Sequence, residues 1–177
     1  MAEMKLNPSL FDKLTINDRI TSIIDDGRTE ITGAGVTQLS LGSAARVSRF
    51  NETAMRASVR RELNWLLNTV NLNAVVDLTR YPQVRTSVLN YGMPDLTGRV
   101  STPQAVQARS NEIRQAIRQF EPRLDGDKLR VEASPALGPE NSISYIIRGD
   151  ITSAVKAMPV QFFANVEVET GEAVVRE

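Results

Sequence analysis

The sequence predicts an α+β fold: two main helices packed on a small mixed sheet formed by the C-terminal third, preceded by an extended N-terminal arm. Three observations carry this. Apolar residues recur at helical spacing from Met55 to Leu67 and again from Val106 to Phe120. The last third changes to a period of two, cleanest over Val160, Phe162, Ala164, Val166 and Val168. Ahead of both, residues 25–45 gather Gly27, Gly33, Gly35 and Gly42 among many Thr and Ser, the composition of a loop or linker. The chain therefore divides into an N-terminal arm and loop, 1–50, and a domain, 51–177.

Each element has a local reason. Ser9 caps a short helical stretch, Ser9-Leu10-Phe11-Asp12-Lys13-Leu14, whose Leu10, Phe11 and Leu14 share one face. That face suits either packing on its own domain or anchoring a partner. Gly33-Ala34-Gly35 is not a phosphate loop, because no Gly-Lys-Ser/Thr follows it. The first long helix runs from Asn51 or Glu52 to about Asn68, with Asn51 as its cap. Met55, Val59, Leu63, Leu66 and Leu67 form its apolar side, Arg56, Arg60 and Arg61 a basic surface, and Trp65 a core or interface anchor. Pro82 interrupts any long helix in 75–91, and Arg85 to Tyr91 has room for a short one. Gly92 and Pro94 then make Tyr91 to Leu96 a turn.

The second long helix is capped by Ser101 or Thr102 and opened by Pro103, whose fixed φ suits the first helical position. It buries Val106, Ile113, Ile117 and Phe120 and turns Arg109, Arg114 and Arg118 outward. Proline disfavours the α region for the residue before it, so Pro122 ends this helix at Glu121. Strands follow at Leu129 to Ala133, Ile143 to Ile147 and Val160 to Val168. Thr170-Gly171 turns the chain into a short returning strand, Ala173 to Arg176, which either offers its edge to another chain by strand addition or forms a terminal hairpin that closes the protein's own sheet.

Composition removes several chemistries. The 177 residues contain no Cys and no His. Disulfides, thiolate sites, Ser-His-Asp catalysis, the common zinc sites and histidine pH switches are therefore absent, and no cofactor or metal site is expected. No apolar run approaches the ~20 residues of a membrane span. Residues 1–5 lack the basic start and apolar run of a signal peptide, so a cytoplasmic protein without membrane insertion is expected. Net charge is zero but uneven: −2 over residues 1–45, +6 over 46–123 and −4 over 124–177. A basic middle between acidic ends points to electrostatic docking. The arginines lack the interleaved aromatics of a base-stacking surface, so a protein partner rather than nucleic acid is expected.

Glu121, Pro122 and Arg123 set two opposite charges around a rigid turn. Taken alone they read as a helix stop with a surface ion pair, or as a fixed carboxylate–guanidinium pair presented to a partner. Four stretches together favour the second reading. They are Ser9 to Leu14, Ser58-Val59-Arg60-Arg61-Glu62-Leu63-Asn64-Trp65-Leu66-Leu67-Asn68-Thr69, Ser87-Val88-Leu89-Asn90-Tyr91-Gly92-Met93-Pro94-Asp95, and Phe120-Glu121-Pro122-Arg123-Leu124. In this order they resemble the TssE family of type VI secretion baseplate proteins, related to the lysozyme-like wedge protein of contractile phage tails. The likeness covers most of residues 9–133 and thins over 134–177. Val70 stands where the family carries an arginine, so any contact by that arginine is not carried over.

The resemblance implies a structural subunit rather than an enzyme. It would sit in the cytoplasm at the inner-membrane baseplate, beside wedge proteins of the TssF, TssG and TssK types, and give the contractile sheath its platform. Glu121, Pro122 and Arg123 would be a wedge contact, with Leu10, Phe11, Leu14, Arg60, Arg61 and Trp65 as further interface residues. The competing reading is a lysozyme-like glycoside hydrolase acting on peptidoglycan, which needs two carboxylates flanking a cleft. Glu62 and Glu121 are the pair on offer. Glu62 lies among arginines, a setting that favours the ionised form over the protonated acid such a reaction requires.

Overall fold

The fold comes from a computed structural model that describes residues 52–95, 102–134, 142–152 and 157–177. The chain divides into two compact units, Met1–Met55 and Arg56–Glu177. The expectations for residues 1–50, including Leu10, Phe11 and Leu14, and the Asn51 cap lie outside the described residues.

The order of elements is helices first and strands after. Helix α1 spans Glu52–Leu67, α2 is the single turn Pro82–Arg85, and α3 spans Pro103–Phe120. Strands β1 (Arg130–Ala133), β2 (Ser142–Thr152), β3 (Ala157–Glu167) and β4 (Ala173–Arg176) form one sheet in sequence order. Apart from the first turn of α1, all of these belong to the Arg56–Glu177 unit. The α+β class is as the sequence predicts. The expected mixed sheet is corrected: every pairing in it is antiparallel. A parallel pair needs a crossover of a dozen or more residues. Only residues 153–156 join β2 to β3, and only 168–172 join β3 to β4.

One face of the sheet is covered. Val131 of β1, Tyr145 and Ile147 of β2, and Ala173 and Val175 of β4 are all buried. In β3, burial alternates without a break from Ala157 to Glu167. The predicted apolar side of α1 is buried at Val59, Leu63, Leu66 and Leu67. In α3 the predicted stripe is buried at Ile113 and Ile117, while Val106 and Phe120 are half-buried. Thr102 caps α3 by accepting from the Ala105 amide, and Pro103 opens it. Arg109 does not face outward as expected. Its side chain is only 11% exposed and pairs with Glu112. A guanidinium can lay its stem along apolar surface when its head finds a partner.

Residues 70–91 have no period to read, because side-chain bonds rather than apolar spacing hold them. Two short 3-10 turns, Leu72–Ala74 and Val88–Asn90, flank α2. Asn90 is buried and ties them: its Oδ1 accepts from the Asn73 amide at 2.8 Å and its Nδ2 donates to the Arg85 carbonyl at 2.9 Å. The chain then crosses back at Gly92, where Met93 and Val70 form an isolated parallel bridge.

The outer side of β4 is not the open edge that strand addition needs. Asn68 of the α1 end accepts from the Ala173 amide at 2.9 Å and donates to the Ala173 carbonyl at 2.7 Å. Asn64, one turn earlier, accepts from the Val175 amide. Two asparagine side chains thus occupy places that another strand would need. Asn68→Ala is expected to cost about 1–3 kcal/mol and to speed hydrogen exchange at the Ala173 amide. Unchanged exchange there would show that the asparagine does not seal the edge.

Candidate functional site: the Glu121–Arg123 turn

The turn after α3 is built from the proline outward. Glu121 is the last residue before Pro122, its amide still bonded to the Ile117 carbonyl, and its backbone has left the helical region. Pro122 is exposed. Beyond it the main chain joins the sheet: Leu124 bridges Ile151, the Arg123 carbonyl accepts from the Thr152 amide at 2.8 Å, and the Asp125 amide donates to the Asp150 carbonyl. The turn therefore extends β2's edge past the end of β1.

The side chains go the other way, toward α1. Arg123 Nε and Nη2 each lie 2.7 Å from an oxygen of Glu121, a bidentate fork. Nη2 also donates to Glu62 Oε2, and Nη1 donates to Ser58 Oγ at 2.9 Å. One guanidinium thus grips two carboxylates and a hydroxyl. Glu121 is 3% exposed, Ser58 is buried, and the Arg123 side chain is 16% exposed. Tyr91 closes one side, its ring edge-on to Phe120 at 5.3 Å and its hydroxyl 3.5 Å from the Glu62 carbonyl. Burial, with help from Glu62 and Glu121, pushes the Tyr91 hydroxyl above the ordinary tyrosine range.

The cluster continues along α1. Arg61 lies 3.4 Å from Glu62 and stacks over Trp65 at 5.2 Å from the ring centroid. Trp65 is 43% exposed, which decides between its two expected roles against the core. The structure therefore joins Glu121, Arg123, Arg61 and Trp65 through Glu62, with Pro122 at the exposed corner. Arg60 is half-buried on the same helix and is not one of the groups so joined.

Ser58 is the member of the cluster that sequence reasoning misses. Its signal is present: Ser58 and Glu62 are one helical turn apart and so share a face. Glu62 reads from the sequence only as a possible acid, and its partner, Arg123, lies too far along the chain for spacing to reveal.

The family model for baseplate wedge protein gp25 matches residues 53–155, more than half of the chain. The chain belongs to this family. No curated protein and no solved structure matches it. The gp25 match contains nearly all of α1, the Gly92 turn, α3, the Glu121–Arg123 turn, β1 and β2. It reaches further toward the C-terminus than the resemblance read from motifs, and it leaves out Ser9 to Leu14. The family is one of baseplate structural proteins. Among the described residues no helix is long and apolar enough to cross a membrane.

Proposed function

We propose that this gp25-family chain is the TssE-like subunit of a type VI secretion baseplate, joining wedge proteins of the TssF, TssG and TssK types and giving the contractile sheath its platform, in the cytoplasm at the inner membrane. The observation that carries the reading is the turn itself. The residues that the resemblance assigns to a wedge contact form a hydrogen-bonded, largely buried cluster with Pro122 at its exposed corner. Glu121 is turned inward, so its part is to hold Arg123. The partner would meet Pro122, the exposed margin of Arg123, and the Arg61–Trp65 stack, an aromatic–arginine pairing of the kind enriched in binding hot spots. Arg60 adds charge to the same helix. Leu10, Phe11 and Leu14 remain proposed anchors on the arm.

The hydrolase reading finds no support in this geometry. A glycosidase needs one carboxylic acid and one free carboxylate facing a sugar. Here Glu62 and Glu121 share one guanidinium, and both oxygens of Glu121 are engaged on it. At 3% exposure Glu121 is out of a substrate's reach.

The test is co-expression of the full chain with the TssF- and TssG-like proteins of its source, followed by purification on a tag carried by one of them. The wild-type chain is expected to co-purify, and Trp65→Ala to weaken retention by about tenfold or more with only a small drop in the thermal midpoint, since the ring is partly covered and carries Arg61. Absence of the wild-type chain from the purified wedge would overturn the reading.

A further inference from the structure

Exposed apolar surface is concentrated in one segment. Of the ten large apolar side chains exposed among the described residues, seven lie between Val70 and Leu89. Val75 is 83% exposed, Val88 80%, Leu89 68% and Tyr81 58%. Apolar side chains scattered singly need no explanation, but here the two 3-10 turns that carry Leu72, Val88 and Leu89 lie against each other, which gathers exposed apolar side chains in one region.

The segment is also built in advance. Asn71 Oδ1 caps the first 3-10 turn at the Ala74 amide, Ser87 Oγ caps the second at the Leu89 amide, and buried Asn90 ties the two together. The backbone bonds of these turns close internally, from Val75 to Leu72, Tyr81 to Leu78 and Tyr91 to Val88. Little main chain is left to pair with an incoming strand, so recognition falls to side chains, the mode by which an amphipathic helix is received.

Charge narrows the occupant. Asp77 is engaged within the segment, its carboxylate taking the Thr79 amide and hydroxyl, which lowers its pKa. Arg80 and Arg85 are exposed, and neither side chain has an acidic partner among the described residues. Two exposed arginines against one ionised aspartate leave this apolar segment with a net positive charge, which complements an apolar stripe with acidic flanks.

We propose that residues 70–91 are a docking surface for an amphipathic, acid-flanked helix of a neighbouring baseplate subunit. This rests on the wedge role proposed above but names a surface separate from the Glu121–Arg123 turn. The experiment uses the full chain in the co-expressed wedge. Val88→Asp and Leu89→Asp change only exposed side chains, so both should melt like wild type. Each is expected to weaken wedge retention by about tenfold or more, and Arg85→Glu to weaken it in a way that fades as salt rises. A photo-crosslinking residue at Val88 should capture a partner peptide of helical period with Asp or Glu beside its apolar stripe. Retention of both aspartate variants at wild-type yield overturns the proposal while leaving the wedge role standing. So does a crosslink to a second copy of this chain, with its dimer lost in the variants. If the wild-type chain itself fails to co-purify, the wedge role falls and this proposal with it.

Discussion

Arg123→Ala is expected to destabilise the Arg56–Glu177 unit by about 3–5 kcal/mol, the cost of leaving a buried carboxylate without its cation. Glu121 is 3% exposed and has both oxygens on the Arg123 side chain. Once the guanidinium is gone, the Arg123 amide at 3.3 Å is a poor substitute for it. Glu121→Ala should cost less, about 1–3 kcal/mol, because Arg123 keeps Glu62 and Ser58. Arg123→Lys should fall between, since an ammonium keeps the charge but cannot fork onto one carboxylate while reaching Ser58. Urea denaturation of the three variants gives the order directly. If Arg123→Ala unfolds at the wild-type midpoint, the cluster is surface decoration and contributes nothing to the fold. The motif alone predicts a pure assembly defect for these substitutions. Its burial adds a folding defect, so stability and wedge retention have to be measured on the same preparations.

Gly92→Ala is the second large effect. Gly92 has φ +118°, a region L side chains rarely adopt. A Cβ there would sit 2.2 Å from the Thr69 carbonyl oxygen. That oxygen accepts from the Met93 amide at 2.7 Å, and the Met93 carbonyl accepts from the Asn71 amide at 2.9 Å. Relieving the clash means opening both bonds and shifting Met93, which is 1% exposed. Strain and lost bonds together amount to about 3 kcal/mol or more. A lowered urea midpoint with an unchanged slope is the expected result. A wild-type midpoint would mean that the 69–71 and 91–93 segments separate at no cost.

The features legible in the sequence are those that local rules govern. Thr102 and Pro103 mark the start of α3, Pro122 its end at Glu121, and the period of two from Val160 marks β3. Each depends on neighbours within a few residues. The Arg123 cluster depends on Ser58 and Glu62, more than 60 residues earlier, and no spacing rule spans that distance. The sealing of β4 by Asn64 and Asn68 is hidden for the same reason, because an open edge is what a short C-terminal strand shows when its helix neighbour is unknown. Arg109 departs from its expected place although Glu112 is only three residues away, because its helix face lies near Tyr145 of β2, a neighbour no local spacing reveals. The 70–91 segment resists reading because asparagine and serine side chains hold it in place of an apolar stripe.

Arg123 is anchored at both ends, its carbonyl in register with β2 at Thr152 and its guanidinium on α1. The consequence is mechanical. Hydrogen bonds weaken steeply with angle and distance, so a joint made of several fails abruptly instead of stretching. A pull on α1 reaches the sheet through that rivet, and the close-packed interior behind it transmits the strain. In a subunit from a family that builds baseplates, such a joint ties the helix to the sheet, so a displacement imposed on one bears on the other.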